Sequence, residues 1–264
     1  MNQATSHALE TYVRERLMHK RMLLMTHAVV GFPSFDDNMA MLEIMQRAGA
    51  DIVELQMPFS EPIADGPIFV RANQHALDAG VNWEQYFRFM ERASKAFDFK
   101  ILMMGYYNSV FQMGHETFSA CLAEHGASGF IVGDLPPEEA GTLFAEAERF
   151  ALSPIVLMTP TNSMERLQQV AQYARGFVYC AARKGVTGTQ THLDQSLDAF
   201  IARCREVTSL PLALGFGLRS GADLRQIRDR VDIATVGTVL LETWERGGAA
   251  QYERLLREMV TAAV

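Results

Sequence analysis

Short runs of apolar residues alternate along the chain with longer amphipathic segments. The runs lack the period-two alternation of a half-exposed sheet, which indicates strands buried on both faces. Apolar residues spaced three or four apart in the intervening segments predict helices. Eight runs are predicted to be strands: residues 22–30, 51–55, 100–104, 129–132, 153–157, 176–179, 211–214 and 233–236. Regular alternation of strand and helix is typical of a parallel sheet.

Eight strand–helix units in 264 residues predict an α/β fold of the (β/α)₈ TIM-barrel class, as a single domain over residues 1–264. Two helices are additional to the repeat: an N-terminal helix over residues 6–21 and an extra helix after strand 2, over residues 83–95. A doubly wound sheet would carry Gly-x-Gly-x-x-Gly after its first strand. Residues 31–33, Gly-Phe-Pro, stand there instead, so that alternative is disfavoured.

Charge and cysteine content exclude several classes of function. The formal net charge of −7 argues against a nucleic-acid partner or a polybasic membrane partner. No apolar run approaches the roughly 18 residues that span a bilayer, and the N-terminus does not resemble a signal peptide. Cys121, Cys180 and Cys204 have no CxxC spacing. They imply neither a disulfide framework nor a zinc site, and we expect a cytoplasmic location.

Two carboxylates near the second predicted strand are candidates for catalysis. Glu54 stands inside an apolar strand, where an ionised carboxylate without a partner is costly. Asp65 follows on a loop that Pro62, Gly66 and Pro67 make rigid. Two carboxylates in different surroundings suit general acid–base catalysis. In the structural alternative, which stays open, Glu54 forms an ion pair and Asp65 caps the next helix.

Three loops at the predicted carboxyl ends of the strands also point to function. The long polar loop of residues 181–192 is predicted to be a closing lid, with a simple surface excursion as the alternative. Gly217 and Gly237 stand in the loops after the last two strands. Barrel phosphate sites are commonly built there from backbone N–H groups at a helix N-terminus, so we expect a phosphorylated ligand.

Five motifs follow one another in a fixed order: Glu-Leu-x-x-Pro-Phe-Ser-x-Pro-x-Ala-Asp-Gly-Pro, Tyr-Tyr-Asn, Asp-Leu-Pro-x-Glu-Glu, Gly-Val-Thr-Gly and Gly-Phe-Gly. In this order they resemble the tryptophan synthase α subunit family. The resemblance implies a (β/α)₈ barrel that cleaves indole-3-glycerol phosphate to indole and glyceraldehyde 3-phosphate by a retro-aldol step. It implies no metal and no organic cofactor. It also implies an αββα complex in which indole passes to a PLP-dependent β subunit.

The resemblance further implies roles for single residues. Glu54 matches the proton donor to indole C3, and Asp65 matches the carboxylate that faces the indole N–H. Thr187, on the lid, matches the threonine that positions Asp65 and contacts substrate. The walls of the indole pocket are matched by Tyr106, Ile131, Tyr179 and Phe216, and the phosphate cradle by Gly188, Gly217, Gly237 and Thr238.

Several positions depart from the family pattern. His27 replaces an apolar or aromatic pocket residue and so bears on the fit of indole, while Gln56 replaces a glycine. Further changes stand at Phe32, Glu61, Phe69 and Val70, and they bear on binding of the β subunit. Two alternatives therefore stay open: a free-standing lyase or paralogue acting on a related phosphate ester, and a non-catalytic barrel that binds a phosphorylated ligand. Retention of both Glu54 and Asp65 speaks against the second.

Overall fold

Parallel strands form a ring at the centre of the computed structural model, which describes residues 8–181, 195–215 and 217–264. The strands are β1 (Leu23–Val29), β2 (Ile52–Gln56), β3 (Lys100–Gly105), β4 (Gly129–Val132), β5 (Ser153–Pro154), β6 (Val156–Met158), β7 (Val178–Ala181), β8 (Leu212–Gly215) and β9 (Ile233–Val236). β1 pairs with both β2 and β9. β5 pairs with β4 and β6 with β7, and only Ile155 separates the two segments, so together they act as one strand that closes the ring. The predicted TIM barrel is confirmed.

Helices connect the strands on the outside of the ring. They are α1 (Ala8–Leu17), α2 (Phe35–Ala48), α3 (Pro67–Asp78), α4 (Trp83–Ala96), α5 (Tyr107–Met113), α6 (His115–Glu124), α7 (Gly141–Arg149), α8 (Met164–Ala171), α9 (Gln195–Val207), α10 (Gly221–Ile227) and α11 (Thr238–Ala263). The added N-terminal helix and the extra helix after strand 2 are both present, as α1 and α4. Within the described ranges, the chain contains no helix with the length and apolar content needed to cross a membrane.

One predicted helix needs a new boundary, and one helix was missed. A helix was predicted over residues 137–149, but a 3₁₀ turn at Pro137–Glu139 is followed by a break at Ala140 and then by α7. α5 was not predicted at all. Two separate helices were predicted after Gly237 and from Ala249, and a bend at Gly248, whose φ is 61°, divides α11 at that place.

Polar caps begin four of the helices. Ser34, Asn82, Ser163 and Ser220 each accept a hydrogen bond from a backbone N–H of the first helical turn, which satisfies a group that the helix itself leaves unpaired. Gly49 ends α2 in the left-handed region, with φ at 94°, which glycine adopts without a Cβ clash. Local sequence thus determines where these helices begin and where α2 ends.

The amino ends of the strands are closed by α1. Leu9 and Val13 are buried among the side chains that fill the barrel interior. Asp51, at the start of β2, anchors this end: its carboxylate accepts hydrogen bonds from Arg16, Lys20 and the backbone N–H of Leu24. Because this end is closed, any site on the barrel axis must open at the carboxyl ends of the strands.

Candidate active site

Parallel pairing of β1 with β2 brings three polar side chains together at the carboxyl end of the barrel. In this register His27 lies opposite Glu54, and Val29 lies opposite Gln56. Alternate residues of a strand point to the same face. Glu54 and Gln56 therefore point toward the barrel interior, as Ile52 does. A cleft opens above them, lined by His27, Glu54, Phe69, Tyr179, Gly217, Leu218, Arg219, Thr235, Gly237 and Thr238.

Glu54 has one hydrogen-bonded oxygen and one open oxygen. Its side chain is buried, and Oε2 lies 2.7 Å from Nδ1 of His27. Oε1 is also buried but accepts no hydrogen bond from the described residues. A buried polar atom without a partner is costly. This oxygen, on the wall of the cleft, is therefore the atom of Glu54 most suited to meet a ligand.

The structural alternative is half right: Glu54 pairs with His27, but Asp65 does not cap a helix. The N-cap of α3 is Gly66, which provides no side-chain cap. The buried carboxylate of Asp65 instead accepts hydrogen bonds at Oδ2 from Gln56 Nε2, at 2.7 Å, and from Asn73 Nδ2, at 3.4 Å. The nearby Tyr106 hydroxyl also favours the charged form of Asp65. Burial raises the pKa of Asp65, while the hydrogen bond from Gln56 and the charge of His27 oppose that rise.

His27 hydrogen-bonds to both Glu54 and Gln56, a pair of contacts that the sequence did not reveal. Its Nδ1 meets Glu54, and its Nε2 lies 2.8 Å from Oε1 of Gln56. The ring also stands edge-on to Phe69, with centroids 4.7 Å apart. Burial by itself lowers the pKa of His27, but the hydrogen bond and charge of Glu54 outweigh burial, so this pKa lies above its ordinary value. His27 thus binds the carboxylate of Glu54 as well as lining the cleft.

Asn73 is a second residue that sequence reasoning missed. It is buried on α3, and its amide is held by the backbone at both ends: Oδ1 accepts the N–H of Phe59 at 2.9 Å, and Nδ2 donates to the carbonyl of Phe69 at 2.8 Å. Asn73 thereby ties the loop that carries Asp65 to the following helix. The only sequence signal was an amide on a helical face otherwise made of apolar residues.

Aromatic side chains form the walls predicted for an indole pocket. Tyr106 is fully buried and stacks on Phe59, with ring centroids 5.3 Å apart. Ile131 lies in the same interior cluster as Tyr106, and Tyr179 lines the cleft. A Cβ at Gly215 would come within 2.1 Å of the Tyr179 hydroxyl, so glycine is needed there for the ring to occupy its position.

Another part of the cleft is formed by backbone. Gly237 is the N-cap of α11 and offers no side-chain cap, and Thr238 is the first residue of that helix. Gly217, with φ at 90°, adopts a left-handed conformation that favours glycine. Free N–H groups and the positive end of a helix dipole attract anions. Arg219, another residue that sequence reasoning missed, lines the same cleft and forms an ion pair with Glu242 of α11.

Three of the predicted site residues, Thr187, Gly188 and Phe216, lie outside the described residues, as does the predicted lid from residue 182 onward. The other eight lie at or near the carboxyl end of the barrel. In the part of the chain that the structure describes, no group of three or more His, Cys, Asp or Glu side chains could hold a metal ion.

Both the sequence and the fold are similar to those of one protein family. The family model described as tryptophan synthase alpha chain matches residues 14–263. The tryptophan synthase alpha chains of Syntrophotalea carbinolica and Desulforapulum autotrophicum are 43% and 44% identical over 251 residues, which cover 95% of this chain and 99% of each relative. A structure of Mycobacterium tuberculosis tryptophan synthase superposes with a TM-score of 0.91 at 30% identity, covering 97% of this chain and 98% of that one. The resemblance read from the motifs is thereby confirmed, and the chain belongs to the tryptophan synthase alpha chain family.

Proposed function

We propose that this chain cleaves indole-3-glycerol phosphate to indole and glyceraldehyde 3-phosphate, with Glu54 and Asp65 as its catalytic residues. One observation carries the proposal. Two buried carboxylates at the barrel mouth are joined by hydrogen bonds through His27 and Gln56, and a glycine-capped helix N-terminus lines the same cleft as Glu54. The site thus combines acid–base groups with an anion site, as the cleavage of a phosphate ester requires.

The reaction needs a proton to reach C3 of the indole ring. Glu54 delivers it, and the bond between C3 and the glycerol carbon then breaks as the hydroxyl on that carbon loses its proton and becomes an aldehyde. The carboxylate left on Glu54 accepts this proton, so acid and base are the same group at two stages. No electrons are gained or lost overall, and side chains alone can carry the proton transfers.

Asp65 stabilises the intermediate in this proposal. Protonation at C3 leaves positive charge on the ring nitrogen, and a carboxylate facing the N–H lowers the energy of that state. Oδ2 of Asp65 is already engaged by Gln56 and Asn73. We therefore assign the contact with the indole N–H to the other oxygen, Oδ1.

The glycine-rich end of the cleft is proposed to bind the phosphate. Backbone N–H groups at Gly237 and Thr238 begin α11, and Gly217 permits close approach of the chain. Arg219, paired with Glu242, also lines the cleft. We also retain Tyr106, Ile131 and Tyr179 as walls for the indole ring, and Thr187, Gly188 and Phe216 as contributors from outside the described residues.

We further propose that the chain assembles with a tryptophan synthase β subunit. Ile63, on the loop after β2, and Phe111, on the helix after β3, are 70% and 61% exposed, and they place large apolar side chains at the carboxyl end of the barrel. Exposed apolar side chains of this size favour a protein partner. A free-standing lyase remains the second candidate, because the family pattern changes in this region.

Most of those changes do not reach the surface. Phe32, Gln56 and Phe69 are buried, whereas Glu61 and Val70 are exposed. Only Glu61 and Val70 can alter a contact with a partner directly, so most of the changes leave the surface available to a β subunit unaltered. Co-sedimentation with a purified β subunit should give one complex, and separate sedimentation at micromolar concentration would favour the free-standing lyase.

The activity is tested by incubating the purified chain with indole-3-glycerol phosphate. We expect indole and glyceraldehyde 3-phosphate in equal amounts, and no release above background from the double variant E54Q/D65N. A folded wild-type chain that binds the substrate without releasing indole would overturn the proposal in favour of a non-catalytic binder.

A further inference from the structure

We propose that His27 is a positioning residue that shares one exchangeable proton with Glu54 across their hydrogen bond, and that Gln56 fixes the tautomer of His27 by keeping a proton on Nε2. The inference rests on the proposed function in one respect: the proton held there is the one that Glu54 delivers to C3. The hydrogen-bond pattern itself does not depend on the reaction.

The backbone sets the direction of the hydrogen bonds, beginning at Asn73. A backbone N–H can only donate and a backbone carbonyl can only accept. Because Phe59 donates to Oδ1 and the carbonyl of Phe69 accepts from Nδ2, the amide of Asn73 has one orientation. Its oxygen therefore faces Gln56, and its nitrogen faces Asp65.

Asn73 and Asp65 together orient Gln56. The carboxylate of Asp65, 2.7 Å away, requires a donor from Gln56, and so does the oxygen of Asn73 at 3.4 Å. Nε2 of Gln56 must occupy that side, and its oxygen must then face His27. An amide oxygen can only accept, so Nε2 of His27 carries a proton.

The remaining contact then fixes the proton count of the pair. Nδ1 of His27 and Oε2 of Glu54 lie 2.7 Å apart, a distance that requires a proton between them. That proton sits on Nδ1, giving imidazolium and carboxylate, or on Oε2, giving neutral imidazole and carboxylic acid. Both descriptions contain the same protons. Glu54 therefore has a proton at hand until the pair as a whole releases it.

The groups around His27 and Glu54 favour the protonated state of the pair. The negative charges of Glu54 and Asp65 both raise the proton affinity of His27. Burial raises the pKa of Tyr179, on the cleft wall, so its hydroxyl stays neutral. Arg219, the cation of the same cleft, is paired with Glu242. Among the described residues around the cleft, no unpaired positive charge acts against the imidazolium.

The tautomer is tested by nitrogen-15 NMR of histidine-labelled protein. We expect His27 to show a proton on Nε2 at every pH, and its titration midpoint to fall in E54Q because the negative partner is lost. In Q56G the preference for Nε2–H should weaken. A neutral Nδ1–H tautomer, or a midpoint unchanged in E54Q, would overturn the proposal. H27F identifies the His27 signal by its loss, and H75F is the control, since exposed His75 packs on Phe32 and hydrogen-bonds to the carbonyl of Pro33.

The catalytic consequence is tested by the pH dependence of kcat/KM for indole release. A proton shared between Glu54 and His27 is held at least as tightly as a proton on Glu54 alone. The alkaline limb should therefore move to lower pH in H27F, by about one unit, which corresponds to a tenfold change in proton affinity. H75F should leave the profile unchanged. An alkaline limb that stays in place in folded H27F would refute the proposal.

Failure of the two proposals can be told apart. A wild-type chain that releases no indole refutes the proposed function, whereas the NMR result stands or falls without any turnover. If H27F fails to fold, the titration of His27 in wild type and in E54Q still decides the inference.

Discussion

Replacing Asp65 by asparagine removes one charge and little else. The carboxylate oxygen Oδ2 accepts from Gln56 and Asn73, both of which are donors at this contact. An asparagine oxygen in the same place accepts the same two hydrogen bonds. The amide nitrogen then takes the place of Oδ1, the oxygen proposed to meet the indole ring. The ground-state structure of the site should therefore survive.

The size of the effect follows from Coulomb's law. Unit charges about 4 Å apart interact by about 4 kcal/mol at an effective dielectric constant of about 20. The dipole of asparagine retains part of this, so we expect a loss of about 3 kcal/mol in the transition state. That corresponds to a fall in kcat of about 10²-fold. The substrate carries no charge on its ring before protonation, so KM should change much less.

Steady-state indole release by D65N measures both parameters, with calorimetric titration of a substrate analogue as a separate measure of binding. D78N is the matched control, because it makes the same chemical change at exposed Asp78, at the end of α3. Its kcat should equal that of wild type. A D65N variant with unchanged kcat and weaker analogue binding would mean that Asp65 only positions the substrate, and the mechanism would be wrong.

Three further substitutions test the phosphate end, the aromatic wall and the barrel base. G237D places a carboxylate at the N-terminus of α11 and should raise the Kd for glycerol 3-phosphate at least tenfold; unchanged binding in calorimetry would place the phosphate elsewhere. G215A forces the Tyr179 ring to move and should lower stability by about 1–3 kcal/mol in urea titration, so a neutral effect would contradict the packing described. D51A removes a buried carboxylate with several donors and should cost about 2–4 kcal/mol in the same assay, against less than about 1 kcal/mol for the exposed Asp229 in D229A.

Apolar patterning was sufficient to predict the barrel from the sequence, because each strand is a short apolar run buried on both faces. The fifth strand was predicted as one segment, and its interruption at Ile155 comes from pairing with different neighbours on its two sides, which no local pattern records. α5 was missed because its N-cap, Tyr106, makes no capping hydrogen bond, and the helix follows a strand without a polar start signal.

The candidate carboxylates could be found from sequence, but their partners could not. Glu54 stood out because a charge inside an apolar strand needs an explanation. His27 and Gln56 were seen only as two unrelated departures from a family pattern. They became neighbours through the register of β1 and β2, which places His27 opposite Glu54. Register depends on the closure of the whole barrel, so this contact lies beyond what local sequence can reveal.

The central claim is that Glu54 is the acid that protonates C3, and E54Q tests it most directly. Glutamine keeps the shape of the side chain and one oxygen, but it cannot deliver the proton. We predict that kcat for indole release falls by roughly 10²–10⁴, the usual contribution of general acid–base catalysis, while glycerol 3-phosphate binds with the affinity of wild type. Indole release by E54Q at a rate near that of wild type would contradict the account.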